Sequence, residues 1–408
     1  MAIKFNQFTT GTNADTSASD LLVGYDSTQD GVAGGERKWT ISTIANAVSG
    51  ITKNALSDDM YSGGSLGFRN KIFNGAMRID QRNAGSPSIW NSTAAAAISG
   101  FAVDRFRSSA ISGNTWGTAV LSAQRSTDAP DEFDTSLKLT VNTADTSLAA
   151  TDVYAFVQPI EGNNISDLGF GTASAKPITI SFWVKSSIAG TYCVSFSNNA
   201  QNRSLVDTYT VNAANTWEYK FVTINADTTG TWLTDANAGL FVRWDLGSGS
   251  NLQTATTNTW QGTLYTRTSG SVNWVSTVGA TFFITGVQVE KGNVATPFEH
   301  RPIGMELFLA RRYYFQAAGG SLLARSIPIW NPMPTVWSQY THTITYQTDV
   351  TMRAVAAIKV KIYKGDTLTL ITPNSLGMDS DNRTISMGIA DTSTGFCDLR
   401  EVKASAEL

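Results

Sequence analysis

Cleaving a glycosidic bond ordinarily takes two carboxylates flanking it, and the acidic residues that could supply such a pair are Asp131, Glu132, Asp134, Glu161, Glu218, Asp245 and Glu290. They are scattered through loops and strand faces, where a carboxylate is ordinarily a solvated charge and no more. His300 and His342 are too far apart in sequence to form a metal motif, and no Cys/His cluster exists. The Gly247–Ser250 stretch, GSGS, lies between β-segments and opens no helix, so it is not a phosphate loop. Cys193 and Cys397 read as free thiols rather than a disulfide. The chain therefore reads as non-enzymatic and without a cofactor. A calcium ion is conceivable at Asp379 and Asp381 in MDSDNR, although an Asp/Asn turn without metal accounts for the same residues.

Aromatic residues carry a stronger signal. There are 11 tryptophans, and flat indoles stack on the apolar faces of sugar rings while neighbouring amides bond the hydroxyls. Trp90, Trp116, Trp232, Trp260 and Trp274 fall in Ser/Thr/Asn-rich, loop-like surroundings and are the expected glycan contacts. A sandwich core or an oligomer interface would also use tryptophan. Trp183 and Trp217 fall in strands and read as packing residues, though Trp183 shares a face with polar Thr179, Ser181 and Lys185 and could line a concave sheet.

The elements that position these groups are strands. In Lys176–Lys185, KPITISFWVK, the apolar Ile178, Ile180, Phe182 and Val184 alternate with Thr179, Ser181, Trp183 and Lys185, the period of a strand with one buried face. Tyr192, Val194 and Phe196 alternate again after a turn containing Gly190, which predicts a β-hairpin. The same reasoning places strands over 137–141, 153–158, 217–224, 240–245 and 281–290, with a bulge at Gly286 where the phase slips by one residue. A helical pattern over 303–314 is followed by strands over 341–347, 354–363, 367–371, 384–389 and 395–401. Strands without intervening helices predict an antiparallel sandwich.

Residues 1 to about 37 are polar and Gly-spotted, which predicts a flexible arm. Within the attachment segment that follows, Trp39, Ile41, Ile44 and Val48 stand near helical spacing and predict a short helix needing a partner. A net charge of −3 offers no positive field for nucleic acid. No apolar run reaches the length of a membrane span and MAIKFNQFTT lacks a signal core, so a cytoplasmic product without membrane insertion is expected.

The combination KIFNGAMRIDQRNAG, FAVDRF, ITISFWVKSS and FFITGVQVEKGNVATPFEHRPIGMELFLARRYY resembles bacteriophage virion proteins of the tail-fibre and tail-associated kind. Its most specific part spans Gly286–Tyr314, where Gln288, Glu290, Gly292, Thr296, Pro297, Phe298 and Arg301 keep the family's order. Residues 20–50 resemble the N-terminal attachment segments of phage appendages. The resemblance covers roughly Asn70–Tyr314 and implies a jelly-roll sandwich like that of carbohydrate-binding modules (70–301); with the residue patterns on either side it gives an all-β chain with an N-terminal virion-attachment arm carrying a short helix (1–69) and a short helix with a smaller C-terminal β-domain (302–408). It implies a non-catalytic virion component, made in the host cytoplasm and assembled as a homotrimer. Such a component would dock on other virion proteins through Leu21, Leu22, Tyr25, Trp39, Ile41, Ile44 and Val48, and would contact host-surface glycans. Capsid decoration or a tail connector is the structural alternative, and a glycan hydrolase the enzymatic one.

Overall fold

The computed structural model describes residues 21–26, 35–40, 68–91, 100–109 and 111–318, and then the strand segments 327–329, 341–347, 357–364, 370–371, 375–378, 384–390 and 395–405. The chain divides into two compact units, Met1–Leu66 and Gly67–Leu408. In the first, β1 (Leu21–Asp26) and β2 (Gly35–Thr40) pair antiparallel, with Leu22 opposite Trp39. Trp39 therefore belongs to a strand, which corrects the expected helix at that residue. A helix this short is marginal, whereas the β-forming run LLVGYD offers the segment a complete ladder. Ile41, Ile44 and Val48 lie outside the described residues.

Alternation then builds the sandwich in chain order. Its strands are β3 (Ser88–Trp90), β4 (Phe101–Val103), β5 (Phe106–Ser108), β6 (Val120–Ser126), β7 (Ser136–Thr143), β8 (Ala155–Glu161), β9 (Ile178–Ser186) and β10 (Gly190–Ser197). They continue with β11 (Ser204–Val211), β12 (Glu218–Ile224), β13 (Ala238–Asp245), the two-residue β14 (Gln253–Thr254) and β15 (Arg267–Thr268), and β16 (Thr281–Lys291). One six-stranded sheet has the order β12-β9-β16-β7-β6-β3 and the other β11-β10-β13-β8-β5-β4. Every pairing within them is antiparallel. The arrangement is a β-sandwich consistent with a jelly roll.

The buried face of β9 is as the alternation predicts, with Ile178, Ile180, Phe182 and Val184 fully inaccessible. The predicted hairpin between β9 and β10 is not formed. β9 pairs with β12 and β16, whereas β10 pairs with β11 and β13 in the opposite sheet. Both strands have an apolar face, and a chain that steps across the gap can bury both faces against each other, so the short turn becomes an arch. Tyr192 on β10 consequently bonds Ser186 Oγ on β9 at 2.8 Å and packs 5.7 Å from Phe282 on β16. Phe182 meets Trp244 at 5.9 Å, and Phe156 stacks on Trp244 at 5.0 Å. Strands β3, β6 and β11 are among those the alternation does not locate. In β11 the reason is chemical: Asp207 occupies the same phase as core-facing Leu205 and Tyr209 and breaks the apolar pattern.

Gly286 is a bulge, as its phase slip predicts. Its φ is +61°, and the β16–β9 register shifts between Thr285 and Gln288. A β-carbon there would lie 2.7 Å from the Phe133 ring. Beyond the bulge β16 exchanges one neighbour. Thr281–Ile284 pair with β7, while Val287 and Val289 bond the segment around Lys71 and Gly75 (Val287 N to Gly75 O, 3.0 Å; Lys71 N to Val289 O, 2.8 Å).

At the edge of its sheet, β12 carries Glu218 and Lys220 at the phase of core-facing Val222, bonded to each other at 2.6 Å. Charges in the inward phase of an edge strand discourage pairing with another chain. Burial alone would raise the Glu218 carboxyl. The bonds it accepts from Lys220 and from the Ala213 and Asn212 amides overcome this and hold its pKa at about 2.

After the sandwich, α1 (Ile303–Arg311) leads into β17 (Tyr314–Ala318), β18 (Ile327–Ile329), β19 (Thr341–Gln347), β20 (Ala357–Lys364), β21 (Leu370–Ile371), β22 (Ser375–Met378), β23 (Thr384–Ala390) and β24 (Gly395–Ser405). They form one sheet of order β17-β24-β20-β21, with β18 also on β24, and another of order β19-β23-β22.

Two outcomes follow from these elements. Gly286→Ala must hold a positive φ and displace the Phe133 ring, so chemical denaturation should show a loss of about 1–3 kcal/mol. A lowered carboxylate pKa stabilises the fold fully above its ordinary value of 4.5, and the contribution is lost as pH falls toward about 2. Melting temperatures of the native chain and Glu218→Gln should accordingly differ at neutral pH and converge below the carboxylate range. A gap that stays constant down to the acid limit would refute this.

Candidate functional site

The sandwich has two outer faces, and the sheet containing β8 and β13 offers little of its own. Both strands are buried along their whole length, on the outer face as well as the inner. Register aligns Arg107, Val157, Arg243 and Ser195 across that outer face, and all four are buried. The Arg243 guanidinium is held by Ser109 Oγ (3.1 Å) and Ser197 Oγ (2.6 Å). Burial, reinforced by the charge of Arg107, pushes its pKa down to about 9.

The opposite sheet is open at its β12–β9 edge, and aromatic side chains occupy that opening. Trp183 on β9 stands opposite Tyr219 on β12, and their ring centroids are 5.6 Å apart. Phe221, two residues along the same face, lies 6.5 Å from Tyr219. Tyr219 is 41% exposed and Phe221 61%, while Trp183 and Trp217 are half-buried. Trp217 packs 6.1 Å from Phe283 and donates its indole N–H to Asp128 Oδ1 at 3.1 Å. Lys185 bonds the other oxygen of Asp128, with its ammonium 4.5 Å from the Phe283 ring and 5.2 Å from Trp217. Burial would raise the Asp128 carboxyl, but the bonds from Lys185 and Trp217 and the nearby positive charge lower it instead. The carboxylate stays charged and locks the Trp217 ring in place. The result is a partly rigid aromatic stripe on a sheet face otherwise made of Thr, Ser, Lys and Glu. Such a surface offers flat apolar area beside hydrogen-bonding groups.

Of the five tryptophans expected to contact glycan, four are buried and Trp260 is half-buried. Trp90 and Trp274 are fully inaccessible, and Trp116 and Trp232 are 6% and 9% exposed. Trp90 meets Trp116 edge-on at 6.2 Å, and Trp116 meets Tyr154 at 5.1 Å while donating to Ala119 O. Trp274 packs on Phe282. Trp260 is half-buried, against Trp232 and Phe170, with its N–H on Asn225 O. Trp90 ends strand β3, while Trp116, Trp232, Trp260 and Trp274 sit in connections packed against the sandwich, where an indole removes more apolar area from water than any other side chain could. The tryptophans on the open face are Trp183 and Trp217, the two assigned to packing. The available signal was the polar company of Trp183 on its own strand.

The scattered carboxylates do not converge on an open cleft. Glu161 makes two 3.0 Å bonds to Arg312, Asp245 accepts from Thr266 and Gly247, and Glu290 accepts from Thr296. Asp131, Glu132 and Asp134 are exposed in one loop. His300 packs against Phe133 and Phe298. Among the described residues no group of three or more His, Cys, Asp or Glu is placed to hold a metal ion. Asp379 and Asp381 lie outside them.

No protein-family model matches the chain. No curated protein matches it. Among solved structures, it is similar to the enzymatically active domain of tailspike protein 4 of bacteriophage CBA120, with 11% identity over 55% of this chain and 21% of that one and a TM-score of 0.26. It is also similar to a family 11 carbohydrate-binding module of Clostridium thermocellum in complex with a mixed-linked tetrasaccharide, with 13% identity over 53% and 99% of the chains and a TM-score of 0.25. A family 22 module from a xylanase of the same organism gives 11%, 47% and 89%, with a TM-score of 0.26. The chain spans about a fifth of the tailspike domain it matches. At scores this low the strand order alone, and not the likeness, defines the fold.

Proposed function

We propose that this chain is a non-enzymatic component of a phage virion, of the tail-fibre or short tail-associated kind. Its sandwich contacts host-surface glycan through the aromatic stripe. Residues 1–69 attach it to other virion proteins, 70–301 form the adhesive module, and 302–408 a second β-domain, with three copies assembled as a homotrimer. The virion assignment rests on the resemblance of the sequence motifs. The single observation that carries the adhesive role is the row of half-buried Trp183 with exposed Tyr219 and Phe221 on one sheet face. Exposed apolar area of this kind marks an interaction surface, and planar rings amid hydroxyl groups suit a pyranose face better than an aliphatic patch would.

The position of Phe221 on an edge strand favours a second reading, in which the stripe packs against another copy and the protein is chiefly structural. Binding of the full chain to a host-surface glycan array, measured beside sedimentation, separates the two. The adhesive reading expects saturable binding that falls roughly tenfold or more in the W183A/Y219A/F221A variant while the assembly state is unchanged. Loss of the assembly with no glycan bound by the native chain would leave the structural reading in its place.

A further inference from the structure

Four loops converge on a cleft distinct from the aromatic stripe. They are the stretch after β5, the β10–β11 connection, the turn before β14 and the β14–β15 connection. The cleft has a volume of about 390 Å³, within the range of small-molecule sites. Its polar lining is Ser112, Asn114, Gln201, Asn202, Asn251 and Thr263, without a charged side chain. Ile111, Leu252 and Leu264, which pack together with Val153, supply an apolar wall.

The cleft is built before any ligand arrives. Asn198 is fully buried; its Oδ1 accepts from the amides of Asn202 and Arg203 at 3.1 Å each, and its Nδ2 donates to Asn202 Oδ1 at 2.7 Å. This turn holds Gln201 at φ +54°, a left-handed conformation that a residue with a side chain adopts only when its surroundings enforce it. Across the cleft, Gln261 and Ser204 exchange both backbone bonds, and Ser204 Oγ donates to Thr263 O.

Several carboxamides among the described residues are bonded within the fold. Asn70, Asn74, Gln158, Asn198 and Gln288 each bond backbone or side-chain partners. Lining the cleft, Asn114 Oδ1 is buried and accepts no hydrogen bond, while the amides of half-buried Gln201 and exposed Asn251 are open to a ligand. An amide offers both a donor and an acceptor, the pair that adjacent hydroxyls require. With no counter-charge present, an acidic ligand would bind unpaired.

We infer that this cleft is a binding site for one unit of an uncharged saccharide, separate from the aromatic stripe and not dependent on it. Gly262 provides the test, because a β-carbon there meets nothing within 4 Å and its backbone is not left-handed. Gly262 lines the cleft, so Gly262→Phe adds a ring at its border with no clash at the β-carbon, and its melting temperature should match that of the native chain. Calorimetric titration of the full chain with maltotriose, mannotriose, galactotriose and chitotriose, beside tri-galacturonic acid, should show binding of at least one neutral sugar and none of the acid. That binding should fall roughly tenfold or more in Gly262→Phe and about fivefold in Asn251→Ala. It should persist in the W183A/Y219A/F221A variant. Unchanged binding in Gly262→Phe, loss in the stripe variant alone, preference for the acidic sugar, or no binding of any neutral sugar would each overturn the inference. The first two would do so while leaving the stripe's proposed role standing.

Discussion

The bulge at Gly286 is the constraint on which the sandwich closes. By adding a residue to β16 it releases the second half of that strand from β7 and turns its backbone groups toward the segment at the other end of the module. Asn70 meets them with both ends of its amide, donating to Val287 O at 3.1 Å and accepting from Val289 N at 3.1 Å. Arg301 binds the carbonyls of Asn70 and Ile72 and pairs with Glu299 and Glu306. Residues more than two hundred positions apart are thereby sewn into one edge. The residues that carry the family resemblance, Gln288, Glu290, Thr296 and Arg301, are members of this clasp. In this chain Gln288, Glu290 and Thr296 bond one another and Arg301 bonds Ile72 O, so these residues serve closure of the fold.

Once closed, the sandwich sorts its aromatics by where the chain can bury them. Indoles from strands (Trp90, Trp244) and from connections (Trp116, Trp232, Trp274) join Tyr154, Phe156 and Phe282 in a continuous core. The outward rings of β9 and β12 remain exposed at Tyr219 and Phe221 and half-buried at Trp183, and form the stripe. Lys185 and Asp128 are the counterpart of the clasp at that face. Their ion pair fixes Trp217 while leaving Tyr219 and Phe221 open. Edge charges at Glu218 and Lys220 serve the same face by discouraging strand addition beside it.

Polar groups divide the same way. Where Asn and Gln side chains are bonded, they replace missing ladder bonds or fix turns. In the cleft, the buried Asn114 Oδ1 has no donor and the amides of Gln201 and Asn251 stand open beside an apolar wall.

The sequence by itself determined the local structure. Period-two alternation located β7 through β10, β12, β13 and β16, the phase slip at Gly286 located the bulge, and the change of pattern at Ile303 located α1. These signals are local because a strand's two faces are written in successive residues. It did not determine which strands share a sheet. β9 and β10 read as a hairpin and became an arch, since alternation reports that a face is buried but not against what. Trp39 read as helical and became a strand because its partner run lies some fifteen residues earlier. Exposure of the tryptophans was likewise a tertiary decision. A Ser/Thr/Asn-rich flank marks a loop, and only the packing of that loop over the sandwich settles whether its indole faces water or core.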